Sequence, residues 1–212
     1  MKRVVKSIVI ITSPFACIPP HAIGAVERRW KGTGDYLKSK GIHVTYISKK
    51  PENGKVYPVG NLHGNGYGRT GSRAKDFLLD AVYSFKALWK APKADIVVLN
   101  TIWTPLLLPL FRWKYGASLY NVARFPKRQL GLYKAVSVLS CVSQIVYEEL
   151  LRQTPSAKKQ ACVVNNFIDT EIFSQKRVHA LSDIITVVYS GRVHKEKGLG
   201  LLIKAMNEVR KA

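Results

Sequence analysis

Short apolar runs rich in β-branched residues recur along this chain, spaced so that one helix fits between most neighbours. Val4–Ile11, Ile42–Ser48, Ala94–Asn100, Ala117–Ala123, Ser137–Ser143 and Gln160–Phe167 each read as a buried strand. The segments between them carry helical spacing: 24–41, 73–90, 104–116, 128–136 and 144–153. Strands that alternate with helices must pair in parallel, with the helices covering both faces of the sheet. The pattern predicts an α/β, Rossmann-like parallel sheet. In such sheets ligands sit beyond the carboxyl ends of the strands. Chemistry is therefore sought in "SPFACIPPHAIGA", "NTIWTP", "RFPKRQ", "VSQ" and "NNFIDTEIF".

Local signals sharpen several elements. Gly41 follows Lys38 and Lys40 at the place of a helix C-cap. Ser143 stands as the N-cap of the 144–153 helix. Pro109 is expected to distort the helix over 104–116. Residues 51–73 hold six glycines and only "VYPV" looks extended, which predicts a long loop with one short strand. Helix 73–90 places Phe77, Leu78, Val82, Phe85 and Trp89 on one face, with Lys75, Lys86 and Lys90 elsewhere. A core-facing role is expected for that aromatic face; the rival reading is a helix lying on anionic lipid.

Near residue 174 the composition shifts. "SQKRVHALSD" is polar and charged and reads as an interdomain linker, 174–183. "IITVVYS" then reads as a new strand, followed by a basic turn and a helix that begins near Gly198. The expected organisation is an N-terminal domain over 1–173, the linker, and one βα unit over 184–212. In "SGRVHKEKGLGLLIKAM", Arg192 and Lys197 flank the turn, and the helix N-terminus offers free amides and a positive dipole end. That combination suits a diphosphate. It is neither a Walker A motif nor GxGxxG, and a solvated basic turn fits the residues as well.

Composition narrows the rest. Lys and Arg number 34 against 13 Asp and Glu, a net charge of +21. An anionic partner is indicated: phosphorylated metabolites, nucleic acid or an anionic membrane surface. Cys17, Cys141 and Cys162 stand apart without a CxxC pair, which points to buried thiols in a reducing compartment. The five histidines show no metal-ligand spacing. Lys6 and Pro14 interrupt the N-terminal apolar run, so a first strand fits better than a signal peptide.

Five segments, in order, resemble those of family 4 glycosyltransferases, which have the GT-B fold. "GAVERRWKGTGDYLKSKGIHVTYIS" is similar to the family's first helix and second strand. "NVARFPKRQLGLYKA" resembles a basic loop of some members, and "SCVSQIVYEELLR" a later helix. "VVNNFIDTEIF" resembles the segment before the interdomain crossing, and "GRVHKEKGLGLLIKAM" the opening of the C-terminal domain. The resemblance implies an N-terminal acceptor domain followed by the start of a donor domain. It implies retaining transfer of a sugar from a nucleotide-sugar to a glycan or lipid-linked acceptor, in cell-envelope polysaccharide or glycolipid synthesis. No metal or other cofactor is implied. Carried over by position, Gly24, Ala25, Arg192 and Lys197 would approach the donor diphosphate. Ala25 stands where the family has a second glycine, and Phe167 replaces a glycine beside Asn166 and Asp169. Asn166 and Asp169 are expected to cap and turn the chain. No histidine falls where many members place one, so Arg124 is the candidate catalytic group, acting by charge and hydrogen bonding. Lys127 is the candidate for a phosphorylated acceptor. The family's acidic donor-sugar element would lie after Ala212, so little activity is expected of this chain alone. The expected location is the cytoplasm, with possible attachment to the inner membrane face. Two rivals are a non-catalytic acceptor- or membrane-binding half protein and a basic nucleic-acid binder. The last ranks lowest for want of any nucleic-acid module.

Overall fold

A computed structural model describes residues 4–20, 24–50, 61–64 (backbone only), 66–168, 170–174, 186–191 and 193–211. The chain divides into two units, 1–168 and 169–212. In the first unit the elements run β1 (Ser7–Ile11), α1 (Ala25–Ser39), β2 (His43–Lys49), β3 (Asn61–Gly64), α2 (Arg73–Lys90) and β4 (Ala94–Leu99). They continue with α3 (Thr104–Leu107), β5 (Tyr115–Val122), β6 (Val138–Cys141), α4 (Gln144–Gln153) and β7 (Ala161–Val163). The seven strands form one sheet in the order β3-β2-β1-β4-β5-β6-β7. Every pairing is parallel. The α/β, Rossmann-like architecture expected from the alternation is the fold of this unit.

The period of two in a strand explains why the runs are apolar throughout. In β1, Ile8 and Ile10 join Trp30, Val44, Tyr46 and Val98 on one face of the sheet. Val9 and Ile11 join Ile47, Tyr83, Leu88, Val97 and Leu99 on the other. Both faces of the central strand are buried, so neither set can be polar.

Helix α1 packs closely on β2 at Gly34, where a Cβ would overlap the buried Tyr46 hydroxyl. That hydroxyl donates to Lys31 O at 3.3 Å. At the other end, Gly41 takes φ +77°. Gly41 N donates to Lys38 O and Ile42 N to Leu37 O, the bond pair of a Schellman stop. The Gly41 signal and the Ser143 cap thus appear where the sequence places them. Ser143 Oγ accepts from Val146 N at 3.4 Å.

Several expectations change. The predicted helix over 104–116 is α3 followed by a 3₁₀ segment, Leu108–Lys114, with Pro109 at the junction. Proline has no N–H to continue the ladder. Segment 128–136 keeps only a 3₁₀ turn, Gln129–Leu132. The "VYPV" stretch lies outside the described residues, and the short strand pairing with β2 is Asn61–Gly64.

The largest change concerns α2. Phe77, Leu78, Val82, Phe85 and Trp89, expected to face the core, are exposed. The buried face is Asp80, Tyr83, Ser84, Ala87 and Leu88. Polar residues fill it because each meets a partner there. Asp80 Oδ2 accepts from the amides of Ile102 and Trp103 at 3.0 and 3.3 Å. Ser84 Oγ meets Thr101 Oγ1 at 2.7 Å, and Tyr83 OH donates to Ile47 O at 3.2 Å. The cysteine expectation also shifts: Cys141 is buried, but Cys162 on the edge strand is exposed. Burial pushes the Cys141 thiol up to about 11, with Cys162 a second cause.

In the second unit, α5 (Thr170–Phe173) is followed after a gap by residues 186–191 and by α6 (Leu199–Lys211). Most of the expected 174–183 linker lies outside the described residues. The expected strand over 184–190 is not assigned among its described residues, 186–190. A strand needs a paired neighbour, and no partner strand occurs among the described residues of this unit. Helix α6 begins at Leu199. Gly198 caps it at φ +69°, its carbonyl accepting from Leu201 N and Leu202 N.

Candidate functional site

The strand order reverses direction between β1 and β4, which makes their carboxyl ends the switch point of the sheet. Four side chains gather there. Asn100, just after β4, donates to Ile11 O through its backbone N–H at 3.1 Å and through Nδ2 at 3.0 Å. Its Oδ1 accepts from Trp30 Nε1 at 2.7 Å. Arg29, next to Trp30 on α1, donates through Nη1 to Asn121 Oδ1 at 2.9 Å. The Arg29 guanidinium also lies over the Trp30 ring, 5.4 Å from its centroid. The second turn of α1 is thereby tied to the ends of β1, β4 and β5 at once.

Arg29 is half-buried, and burial lowers its pKa. Its hydrogen-bond partner is the neutral amide of Asn121. A guanidinium held by a neutral acceptor and an aromatic face keeps donors for an anion. Sequence reasoning missed Arg29, Trp30, Asn100 and Asn121. The only available signal was a tryptophan and an arginine adjacent on a helix that follows the first strand.

The neighbouring loop, Asn100–Thr104, is pinned on both sides. Asp80 takes its amides, and Tyr133 OH donates to Ile102 O at 2.9 Å. Thr101 Oγ1 donates to Thr104 Oγ1 at 2.8 Å and accepts from Thr104 N at 3.1 Å. Burial raises the Asp80 pKa to about 6, with the two amide bonds pulling the other way.

The basic loop after β5 is held by two glutamines: Gln129 Oε1 accepts from Lys127 N at 2.9 Å, and Gln153 ties the loop to α4. Gln153 on α4 donates through Nε2 to Pro126 O at 3.0 Å and to Glu149 Oε1 at 2.5 Å. Its Oε1 accepts from Arg128 N at 2.7 Å. Arg128 itself takes a left-handed φ of +64°. Pro126 is buried, while Arg124, Phe125 and Lys127 are exposed. The clamp holds the backbone and leaves the cations facing solvent. Arg152 bonds Glu149 through two nitrogens, and with Gln153 this holds the Glu149 carboxyl at about 2.

The remaining candidate residues divide between the two units. Gly24 is the N-cap of α1 and Ala25 its first residue. A Cβ at Gly24 would lie 2.9 Å from Glu27 Oε2 and 3.0 Å from Pro20 Cβ. Glu27, buried in the first turn, therefore folds its carboxylate back onto the helix start. That position compensates the dipole and sets a negative charge beside Gly24 and Ala25. Lys197 belongs to the second unit, where it closes a 3₁₀ turn before α6 and is exposed. His194 caps that turn, accepting from Glu196 N at 3.4 Å. Arg192 and Asp169 lie outside the described residues. Phe167 is exposed and lies close to Gly32 of α1. Among the described residues no three His, Cys, Asp or Glu side chains come together as a metal site would require.

No family model matches the sequence, and no curated protein matches it. Among solved structures the chain is similar to a sucrose-phosphate synthase from Thermosynechococcus elongatus, with a TM-score of 0.54 and 14% sequence identity. The match covers 76% of this chain and 48% of that one, so the chain spans about half the length of its solved neighbour. At this identity the likeness is one of fold: the parallel sheet described above is shared with a glycosyltransferase.

Proposed function

We propose that this chain takes part in glycosyl transfer, moving a sugar from a nucleotide-sugar donor to a glycan or lipid-linked acceptor. The observation that carries the reading is the set of groups at the carboxyl edge of the parallel sheet. Arg29, Trp30, Asn100 and Asn121 meet at the switch point, and the clamped loop carrying Arg124 and Lys127 follows on the same edge. The shared fold and the five family-like segments support it.

Breaking the anomeric C–O bond of a nucleotide-sugar leaves negative charge on the departing diphosphate. Fixed cations and helix dipoles stabilise that charge, since they need no reorganisation as it develops. In this reading Arg192 and Lys197, before α6, hold the diphosphate; Gly24 and Ala25, at the start of α1, are the candidates for it in the first unit. Arg124 supports the reacting centre by charge and hydrogen bonding. Arg29 and Lys127 orient an acceptor that carries hydroxyls or a phosphate. Trp30 offers Arg29 its ring, and Asn121 fixes the direction of the guanidinium. Retention of configuration and the absence of a metal belong to the same proposal.

The test combines binding and turnover. Calorimetry with UDP, GDP and ADP is expected to show binding that Arg192→Ala weakens about tenfold, the order of one charge-assisted hydrogen bond. Chromatography of nucleoside diphosphate released from the matching nucleotide-sugars reports turnover, expected to be slow for this chain alone. Arg124→Ala is expected to lower that turnover while diphosphate affinity holds. Affinity unchanged by Arg192→Ala, or turnover unchanged by Arg124→Ala, would sink the assignment of that residue. Binding of none of the nucleotides would sink the reading as a whole.

A further inference from the structure

The outward face of α2 has no role in the site above. Phe77, Leu78, Val82, Phe85 and Trp89 recur on one side of the helix at helical spacing, and Trp89 is 68% exposed. The face continues across to the next elements. The ring of Phe77 lies 5.0 Å from that of Trp103, and Phe85 and Trp89 lie 5.6 and 6.4 Å from Phe111. Between them Ala81, Val82, Phe85, Lys86, Trp103 and Leu107 line a shallow hollow of about 330 Å³. Trp113, also 68% exposed, lies beneath the ammonium groups of Lys93 and Lys114. Soluble proteins seldom leave so many aromatic side chains contiguous and open to water, and such patches mark interaction surfaces.

Charge decides what fits on it. Between residues 73 and 114 stand seven cations: Arg73, Lys75, Lys86, Lys90, Lys93, Arg112 and Lys114. Three carboxylates stand against them, Asp76, Asp80 and Asp95. All three are turned to the protein's own donors: Asp76 to Thr70, Asp80 to Ile102 and Trp103, and Asp95 to Lys6 and Ser7. By the helical period Lys75 and Lys86 fall on the flank next to Val82 and Trp89, with Lys90 just beyond, and all three are exposed. A second copy of this chain would set these lysines against each other, on a chain already at +21. We propose that the outward face of α2, with Trp103 and Trp113, docks on an anionic lipid bilayer. The aromatic rings enter the interfacial region and the lysine flank meets lipid phosphates. The helix lies in the plane of the surface; among the described residues no helix is long and apolar enough to cross. This inference stands on the exposed face alone and does not need the sugar-transfer reading.

Sedimentation of the full chain with vesicles tests it. Phosphatidylcholine mixed with phosphatidylglycerol is expected to bind the chain at least tenfold more strongly than phosphatidylcholine alone. Phe85→Ser with Trp89→Ser is expected to weaken that binding at least tenfold. Lys86→Glu with Lys90→Glu should do so too, with its fold verified by an unchanged circular dichroism spectrum. That pair touches only exposed side chains, so it remains informative if the aromatic pair disturbs packing on Phe111. Binding that survives both pairs would place the contact elsewhere on the basic surface and overturn the proposal. So would no binding to the mixed vesicles. Self-association of the wild type that the aromatic pair abolishes would assign the face to a second copy and likewise overturn it.

Discussion

Asp80 shows how a residue that looks misplaced in an amphipathic pattern organises its surroundings. Read as a sequence, it interrupts an apolar helix. In the structure it is buried beneath the loop after β4 and takes two of that loop's amides. Burial lifts its pKa from an ordinary 3.8 to about 6. The folded state therefore binds this proton more tightly than the unfolded chain. The resulting stability is fully present below pH 4 and is lost as the pH rises through 6. We expect Asp80→Asn, which keeps one carbonyl acceptor for both amides, to remove that slope. Urea unfolding of the wild type between pH 4 and 7 should show a change of up to about 3 kcal/mol from this group, at roughly 1.4 kcal/mol per pKa unit. The variant should show much less. An identical slope in both proteins would mean that Asp80 is not the group responsible.

Helix α2 is closed off by a residue from far along the chain. Its last turn leaves carbonyls without intrahelical partners. Lys114, at the end of the 3₁₀ segment, donates Nζ to Leu88 O at 2.9 Å, Trp89 O at 2.7 Å and Ala91 O at 2.6 Å. A cation there also suits the negative end of the dipole. Burial lowers the Lys114 pKa, which marks how far the ammonium has left water. Lys114→Met keeps the apolar stem and removes all three donors. Chemical denaturation is expected to show a loss of about 2 kcal/mol, the order of hydrogen bonds to a charged group. A loss below about 0.5 kcal/mol would show that water replaces the cap without cost. The same contact holds the end of α2 against Phe111, the ring under Phe85 and Trp89.

Among the described residues, both apolar clusters draw their members from the first unit. A fragment of residues 1–168 should therefore fold alone and melt close to the full chain. Each kcal/mol lost lowers the midpoint of a domain this size by about 3 °C. A fragment that melts more than about 10 °C lower, or without cooperativity, would show that residues 169–212 contribute to the core. In the second unit Leu201, Ile203, Met206 and Val209 of α6 are exposed.

The sequence by itself determined six of the sheet's seven strands, that they pair in parallel and where α1, α2 and α4 stop. Those properties follow from side-chain period and from local chemistry such as Gly41 and Ser143, which act within a few residues. It also located the basic loop at Arg124–Lys127, because loops at strand carboxyl ends are fixed by element order alone. Tertiary structure decided what faces what. Periodicity showed that α2 has an apolar stripe, but the direction of that stripe depended on where Asp80 and Ser84 found partners, more than sixteen positions away. The union of Arg29 with Asn121 and of Trp30 with Asn100 spans 92 and 70 positions. No local rule connects residues so far apart. They meet because the sheet order places β4 beside β1 and β5 beside β4, and α1 starts near their carboxyl ends.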